Sequence, residues 1–571
     1  MKTVRTQPAL PIGRQPRRPL FWHLLWLLPG WVAAVWVISD CLLLPPLPAR
    51  ALAPPALTSD PSGRISLGPC YAFRRGPLTA CYLEGEPELR GWALARFFPQ
   101  TQDNLLPAHP LAPGWLQWRW LAWRHLSSLL NVPEEVQREV AGQIQAGLGP
   151  RSRARALVSQ FDYDLIPRGA VATSPSAVGC VLAGHTQQPL WLAMAWEWPE
   201  GREWDERKAV VLFNPAVGRR FLCLLRPGQW GTLAGINEAG VGVCVLPGLK
   251  AGRANGGLAA GMLARRVLAE TSRLDEAVDL IQRTPVLAPQ TFLVGCGSEN
   301  RAVAVEKGPE QTVVRPLSQR MILATQAFQS FDSTSRVKTP GKDLQNAPGG
   351  GKEPRIFVRE ALRAQGNGGT LPRSARLRLK RLEYLLATTD RPVDAPVLAG
   401  ILRDRQAVYG GRLGLGNRSA VNSLTAVQAV MLDLSRGRLW VAAAPHQLGS
   451  FVPFDLDSFA TAPAEPPVPE DRLLPNGGYA KYLAYLQGKQ AAEQMLRRGR
   501  LRDALMHLQE IQPLNPLDYQ AHLLAARALR RMGRMDEARY NYTQAKRLQP
   551  AYGFEALEIE TALKDLAPAQ P

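Results

Sequence analysis

A glycine–cysteine pair in the middle of the chain has the clearest chemical potential. Gly179 and Cys180 follow the polar stretch 173–176 and begin a run of strand-like segments. A cysteine is a nucleophile when its thiol ionises. If the bond between the two residues is cut, Cys180 gains an α-amino group that titrates at about pH 8 and can act as the base for its own thiol. Together with the segments on either side of it, though not alone, the junction predicts a self-cut amide-processing nucleophile. An ordinary buried strand cysteine is the alternative.

The segments around this pair predict a layered α+β domain. Helical patterns occupy 257–270, 274–283 and 373–387. Before the junction, a strand pattern near 80–85 precedes helical patterns at 88–98, 115–130 and 133–147. Many short strands with grouped helices are typical of α+β layers. The strand patterns lie at 180–184, 190–196, 209–213, 220–225, 232–236, 241–246, 292–296, 302–306, 311–315, 321–324, 427–433 and 438–443.

Five segments, taken in order, carry a family resemblance over roughly residues 80–450. They are Leu-Glu-Gly-Glu-Pro-Glu-Leu-Arg-Gly at 83–91, Gly179-Cys180, Trp-Glu-Trp at 196–198, Leu-Ala-Gly-Ile-Asn-Glu-Ala-Gly-Val-Gly-Val at 233–243 and Pro-Arg-Ile-Phe-Val at 354–358. Together they resemble the isopenicillin N acyltransferase family, which is similar to the choloylglycine hydrolases. The resemblance implies an autoproteolytic cysteine N-terminal-nucleophile hydrolase with a four-layer αββα sandwich, acting on N-acyl amides.

The resemblance also implies roles for five residues. Cys180 would be the nucleophile, freed by cleavage after Gly179, which is expected to take a strained turn. The Asn237 amide would donate to the oxyanion of the tetrahedral intermediate, and Arg355 would lower the pKa of the thiol. Glu197 stands where the family has an acid beside a tryptophan.

Each of these residues has a structural alternative, and some positions depart from the family pattern. Asn237 could be a turn residue, Arg355 a surface charge at a helix start and Glu197 a packing residue. Thr325 stands where many family members have a site-lining asparagine. Met194 and Ala195 occupy the place of the family's arginine, for which the nearby Arg202 and Arg207 are candidate replacements, and Val181 replaces a Thr or Ser.

Two functional hypotheses follow from the hydrolase region. The first is a cysteine amide hydrolase or acyltransferase with a small-molecule or peptide-like amide substrate and no cofactor or metal. The second is an inactive sandwich that serves as a scaffold. An arginine that reaches Cys180 would favour the enzyme, and an apolar pocket without a cation would favour the scaffold. We expect residues 65–179 to form a pro-segment and 180–454 the hydrolase core.

The N-terminal residues predict a membrane anchor. Residues 1–19 are basic and lack acids, and an apolar segment follows within 20–44. About twenty apolar residues can span a bilayer, and the basic flank predicts a cytoplasmic N-terminus with the bulk of the chain outside. A Pro- and Ala-rich tether covers 45–64. A cleaved signal peptide is the alternative, because Ala51-Leu52-Ala53 has the form of a cleavage site.

The C-terminal part, residues 478–571, contains a repeat. Residues 499–516 align with 533–550 at an offset of 34, since 533 − 499 = 34. This is the tetratricopeptide period, and such repeats usually bind a protein or peptide. A capping array that only packs on the preceding domain is the alternative. Residues 455–477, rich in Pro, Ala and Glu, predict a linker.

Composition limits the remaining classes of function. The formal charge of +20 comes from 68 Lys and Arg against 48 Asp and Glu, and the basic residues are spread out. No nucleic-acid-binding motif accompanies them, so we expect no nucleic-acid partner. Seven cysteines are too scattered for a disulfide framework or a zinc site. Cys70 and Cys81 are expected either as a disulfide or as two thiols.

Overall fold

The structure is a computed structural model, and the ranges that it describes begin at residue 55. They are 55–99, 131–146, 176–183, 189–198, 202–227, 229–248, 256–308, 311–317, 321–325, 372–389 and 391–567. The basic N-terminus, the predicted anchor at 20–44 and Arg355 lie outside them, as does the tryptophan-rich stretch 115–130. Within the described ranges, no helix is both long and apolar enough to cross a bilayer.

The larger of two sheets, sheet A, joins strands from both sides of the Gly179–Cys180 junction. Strand β4 (Leu78–Gly85), before the junction, pairs in parallel with β7 (Ala209–Pro215), after it, and the other described pairs of this sheet are antiparallel. In spatial order the strands are β1 (Leu57–Ser59), β2 (Ile65–Leu67), β3 (Cys70–Arg75), β4 (Leu78–Gly85), β7 (Ala209–Pro215), β8 (Phe221–Leu225), β9 (Ala234–Asn237), β10 (Val241–Pro247), β11 (Gln290–Cys296), β12 (Arg301–Lys307) and β13 (Thr312–Pro316).

The smaller sheet, sheet B, contains the junction itself. Strand β5 (Ser176–Ala183), which holds Cys180, lies between β14 (Met321–Thr325) and β6 (Leu190–Glu197), and all described pairs of this sheet are antiparallel. The strands in spatial order are β14 (Met321–Thr325), β5 (Ser176–Ala183), β6 (Leu190–Glu197), β15 (Ala426–Asp433), β16 (Arg438–Ala442) and β17 (Phe451–Asp455). Strands β5 and β6 of sheet B pack face to face on β10 and β11 of sheet A.

Helices cover the outer face of each sheet. Helices α4 (Ala260–Glu270) and α5 (Leu274–Arg283) contact β9–β12 of sheet A, and α6 (Arg373–Ala387) and α7 (Ala395–Leu402) contact β14, β6 and β15 of sheet B. A short helix α3 (Arg202–Glu206) lies against β15. The order helices–sheet–sheet–helices confirms the predicted α+β layers, because each sheet buries one face on the other and one on helices.

The part of the chain before the junction contributes a close helix pair. Helices α1 (Pro87–Phe97) and α2 (Glu134–Gln145) cross at Gly91 and Gly142. A β-carbon on Gly91 would lie 1.9 Å from the Glu139 carbonyl oxygen, and one on Gly142 would lie 2.0 Å from that of Glu88. Only glycine permits this backbone contact.

Five helices form the C-terminal part: α8 (Gly478–Arg497), α9 (Leu501–Ile511), α10 (Tyr519–Arg531), α11 (Met535–Arg547) and α12 (Gly553–Asp565). They are docked on the loop 411–425 of the preceding domain. The Leu415 N–H donates to Asn515 (3.0 Å), the Asn417 amide donates to the Gln549 carbonyl (3.2 Å), and Gln549 donates to Ser419 (3.1 Å). The tetratricopeptide assignment itself stays a prediction.

Residues 455–477 are predicted as a linker, but Asp455 is the last residue of β17 and the residues that follow are attached to sheet B. Val468 exchanges two backbone hydrogen bonds with Phe451 of β17. Asp471 pairs with Arg405 at 2.9 Å. The Pro- and Ala-rich composition disfavours regular helix and strand, as seen here, but it does not prevent an irregular segment from binding along its length.

Candidate functional site

The register of sheet B places Cys180 in a defined row of residues. Cys180 lies opposite Leu323 of β14 and Ala193 of β6. In the neighbouring row, Val178 lies opposite Thr325 and Ala195. Since directly opposite residues share a face and alternate residues return to it, Cys180 and Thr325 lie on the same face, about 7–8 Å apart along the diagonal.

Cys180 is buried, and the side chains around it are apolar. Its exposed fraction is 1%, and burial raises the pKa of its thiol to about 12. Its hydrophobic cluster, called here the Cys180 cluster, includes Ala193, Leu382 of α6 and Leu398 of α7. Arg207, one candidate replacement for the family arginine, is exposed. In this uncut chain the thiol is therefore protonated near neutral pH.

Gly179 has a packing role in the structure and does not form the strained turn expected from the sequence. It lies within the extended strand β5, opposite Ala324 and Met194. It faces sheet A, where a β-carbon would lie 3.0 Å from Cδ1 of Leu293 and 3.4 Å from Cδ2 of Leu246. The glycine is needed here because the two sheets approach closely.

Polar atoms without a partner lie on the same face as the thiol. The Oγ1 of Thr325, whose exposed fraction is 0%, has no hydrogen-bond partner among the described residues. The same is true of the indole N–H groups of Trp191 and Trp440, which belong to the Cys180 cluster. Buried polar groups are nearly always paired, so donors on the same face as the thiol that lack a partner among the described residues indicate a place for a ligand or a reacting group.

Glu197 is neither solvated nor near the thiol; it is the centre of a buried ionic cluster. Its Oε2 lies 2.7 Å from Nη1 of Arg378 and 3.7 Å from Nη1 of Arg418. The Ser423 hydroxyl donates to its Oε1 at 2.7 Å. Glu197 lies at the end of β6 opposite Ser176, so this ionic cluster lies four residues along the strands from the row of Cys180.

Asn237 is placed on the far side of sheet A. Its side-chain amide donates to the carbonyl oxygens of Leu268 (2.9 Å) and Thr271 (2.7 Å), at the end of α4. Its Oδ1 accepts from the N–H groups of Ala239 and Val241 in the turn that follows. Both amide hydrogens are thus used within the fold, in a turn and helix-anchoring role, and none is left for an oxyanion.

The structure brings Cys180, Gly179 and Thr325 together, separates Asn237 from them and places Glu197 at the strand end. Arg355 lies outside the described residues. Sequence reasoning missed Arg378 and Arg418, the two cations at Glu197. No local signal could have found them, because Arg378 is 181 residues from Glu197 and looks like an ordinary charge on an amphipathic helix.

The other cysteines with described side chains are buried thiols. Cys70 and Cys81 lie on the paired strands β3 and β4 without a disulfide, and burial raises the pKa of Cys70 to about 11. Cys223, Cys244 and Cys296 lie on buried strands of sheet A. These positions give them roles in packing.

Comparisons with known proteins agree with part of this picture. Residues 208–397 match a family model described as acyl-coenzyme A:6-aminopenicillanic acid acyl-transferase. The match is about a third of the chain and begins after Cys180, so it does not include the junction. A search of curated protein sequences finds no match.

Three solved structures are similar to part of the chain, each with a TM-score of 0.30. An N-acylethanolamine-hydrolyzing acid amidase ortholog of Caenorhabditis elegans is 13% identical and covers 45% of this chain and 93% of its own. A mutant conjugated bile acid hydrolase of Clostridium perfringens is 11% identical, and the match covers 49% of this chain and 92% of that protein's chain. Penicillin V acylase of Agrobacterium tumefaciens is 16% identical, and the match covers 47% of this chain and 83% of that protein's chain. At this TM-score the likeness carries no argument about this chain.

Proposed function

We propose that this chain is an autoproteolytic cysteine amide hydrolase or acyltransferase acting on an N-acyl amide, with Cys180 as the nucleophile. The observation that carries the proposal is the buried hydroxyl of Thr325, which has no partner among the described residues and lies on the same face as the Cys180 thiol. An unsatisfied donor costs about 1–3 kcal/mol, so its retention beside a thiol is expected where it serves a reaction. The family match at 208–397, which includes Thr325, supports the same reaction class.

The proposed self-cleavage needs only the chain and water. The Cys180 sulfur attacks the carbonyl carbon of Gly179; the C–S bond forms as the C–N bond between the residues breaks, and the thiol proton passes to the departing nitrogen. Water then hydrolyses the thioester. The products are a carboxylate on Gly179 and a free thiol and α-amino group on Cys180.

Turnover would repeat this chemistry on an external amide. The α-amino group of Cys180 takes the thiol proton and returns it to the leaving amine. Water or an acceptor amine then receives the acyl group from the thioester. Because Asn237 is committed elsewhere, we assign oxyanion donation to the Thr325 hydroxyl, and a donor of this kind typically contributes about 10²–10³ in rate.

Burial of the thiol sets the timing of this process. With a pKa of about 12, the thiol of the intact chain is almost wholly protonated near neutral pH. We therefore expect slow self-cleavage that accelerates as pH rises. After the cut, the new α-amino group, with a pKa of about 8, supplies the base for the thiol.

Intact-mass measurement and N-terminal sequencing of the purified chain test the proposal. We expect two fragments, the larger beginning Cys180-Val181-Leu182. Cys180→Ala should stay whole, whereas Cys244→Ala, which removes another buried strand thiol, should still be cut. A wild-type chain that stays uncut for days at pH 8–9 would overturn the autoproteolytic mechanism.

A non-enzymatic scaffold is the second candidate, and one observation favours it. The described side chains around Cys180 are apolar and supply no arginine to the thiol, whose raised pKa has burial as its cause. In that case the sandwich only supports the C-terminal helices. An uncut chain whose Cys180→Ala variant is equally stable and folded would select this candidate.

The C-terminal helices are proposed to be tetratricopeptide repeats that bind a protein partner. The support is positional: Gly499 and Gly533 both have a φ of +78°, and Ala504 and Ala538 are both fully buried, 34 residues apart. Residues 20–44 are proposed to anchor the chain with its bulk outside the cytoplasm. Protease protection and alkaline extraction of membranes test the anchor, and cross-linking on those membranes, compared with a chain ending at 477, tests the partner.

A further inference from the structure

The substrate slot can be located from the chain's own scissile bond. In the uncut chain, the backbone of Ser176–Gly179 lies between β14 and β6, paired with Thr325 and Ala324 on one side and residues 194–197 on the other. The Gly179 carbonyl is the first acyl group that Cys180 would receive. Since the same thiol later attacks the substrate, the acyl part of the substrate must approach from the same side as residues 176–179.

The sheet face along this path is lined by small side chains. In the row next to Cys180, the residues on the flanking strands are Thr325, Ala195 and Ala429. All three are buried, with exposed fractions of 0–1%. The Thr325 hydroxyl in this row has no partner among the described residues. Once Ser176–Gly179 leave this place after the cut, the small residues and the Thr325 hydroxyl would line a furrow that an unbranched chain could fill.

The far end of the furrow is cationic. Ser176 lies opposite Glu197, the residue that Arg378 and Arg418 share. Arg378 donates from Nε to the Arg418 carbonyl at 2.9 Å, which fixes the two guanidinium groups beside each other. Arg418 also interacts with Tyr552 of the C-terminal part, which helps to close this end. Two guanidinium groups around one carboxylate suit a second carboxylate.

We propose that the substrate is an N-acyl amide whose acyl chain replaces Ser176–Gly179 in this furrow and ends in a carboxylate bound by Arg378 and Arg418. This proposal rests on the proposed function, because it assigns the acyl half to the same Cys180. Four residues of strand separate the Cys180 row from the Glu197 row, so the chain spans about 13 Å from the scissile carbonyl to its carboxylate. A shorter diacid does not reach the two arginines, and a neutral chain brings no negative charge to them.

The test uses the self-cut full chain and p-nitroanilides of a graded series of straight-chain dicarboxylic acids, each compared with its ω-methyl ester. We expect kcat/KM to peak at the chain that spans about 13 Å and to exceed that of its methyl ester about tenfold or more, as one charge-assisted hydrogen bond permits. The triple variant Glu197→Leu with Arg378→Met and Arg418→Met removes the whole ionic cluster without leaving an unpaired charge. Its acid-to-ester ratio should fall to about one.

Two further variants sharpen the test. Glu197→Gln removes the competing carboxylate and should raise the acid-to-ester ratio. The double variant Arg381→Met with Asp404→Leu removes a different ion pair, in which Nη2 of Arg381 lies 2.7 Å from Oδ2 of Asp404. Arg381 lies on α6, as Arg378 does, and this variant should keep the wild-type ratio. Self-cleavage of each variant reports that it has folded.

The outcomes separate this proposal from the function on which it rests. A self-cut chain that hydrolyses acid and ester equally, or hydrolyses neither, overturns the proposed substrate class and leaves the nucleophile in place. A ratio that the Glu197/Arg378/Arg418 triple variant does not change also overturns it. A chain that never cuts itself removes both proposals together.

Discussion

A β-carbon on Gly179 would lie 3.0 Å from Cδ1 of Leu293 in the opposite sheet and 3.1 Å from the carbonyl oxygen of Ala193. The leucine end can move, but the backbone oxygen cannot move freely. Gly179→Ala is therefore expected to lower the free energy of unfolding by about 1–3 kcal/mol through overpacking. Urea denaturation measures the loss, and a Leu293→Ala background should reduce it because the methyl group then has room.

A glycine without such contacts provides the control for this substitution. Gly400 is exposed on α7, and a β-carbon there would meet nothing within 4 Å. Gly400→Ala should raise stability by about 0.5–1 kcal/mol, since alanine is the better helix former. If Gly179→Ala is neutral in stability yet stops self-cleavage, the glycine serves the cleavage conformation and packing is not its main role.

We expect the Thr325 hydroxyl to lower the stability of the fold and to increase the rate of self-cleavage. Thr325→Val removes a buried hydroxyl that has no partner among the described residues and keeps the side-chain shape. The free energy of unfolding should rise by about 1 kcal/mol, while the rate of self-cleavage should fall about 10²–10³-fold if the hydroxyl is an oxyanion donor. Thr325→Ser should retain most of the rate. A valine variant that is less stable and fully active would contradict both roles.

The strands and helices could be predicted closely because their signals are local. The predicted helices at 274–283 and 373–387 coincide with α5 and α6, and the predicted strand at 241–246 ends one residue before β10 does. Short elements with weak periodicity, such as β1 and α7, were not predicted. Their formation depends on the neighbours onto which they pack, and a local pattern does not contain those neighbours.

The site could be predicted only for residues that are neighbours in the sequence or that belong to the family pattern. Cys180 and Gly179 are adjacent, and the expectation that Thr325 lies near them came from a family pattern. Asn237 carries the most specific motif of that pattern, but the structure shows that its hydrogen bonds hold a turn and the end of α4. The partners of Glu197 come from α6 and a distant loop, and pairing between such distant segments cannot be read from one sequence.

The two fragments of a cut chain should remain associated. Seven residues of β4 pair with β7 across the future cut. Glu139 of α2 is fully buried and lies 2.6 Å from Arg265 of α4, on the other side of the cut. We expect the fragments to co-elute in size-exclusion chromatography, even in 1 M salt, because a buried ion pair is poorly screened. They should separate only in denaturant.

The same ion pair offers a variant that weakens the association. Glu139→Gln leaves Arg265 and Arg90 without their shared carboxylate, and removing one partner of a buried pair typically costs about 3–5 kcal/mol. The variant should separate at a lower urea concentration than wild type. Glu134→Gln, an exposed acid on the same helix, should not change it. Fragments that separate in buffer alone would contradict the interface.

The C-terminal helices should be more stable in mild acid than at neutral pH. Burial raises the pKa of Glu555 from its ordinary 4.5 to about 7, although Tyr519, Gln520 and Arg527 act in the opposite direction. A group with a raised pKa contributes its full stability below the unfolded value of 4.5, and this stability is lost as pH rises to about 7. The difference corresponds to roughly 3 kcal/mol. Hydrogen exchange of residues 478–567 at pH 5 and pH 8 measures it.

Substitution at Glu555 should remove this dependence. Glu555→Gln keeps an acceptor for the Tyr519 hydroxyl and cannot ionise, so its exchange protection should be nearly equal at the two pH values. Glu560→Gln, on an exposed position of the same helix, should retain the wild-type dependence. Asp518 and Lys489 lie nearby and form an ion pair, with 3.2 Å between Oδ2 of Asp518 and Nζ of Lys489. If the wild-type helices are instead better protected at pH 8, the Asp518–Lys489 pair governs their pH dependence and Glu555 does not.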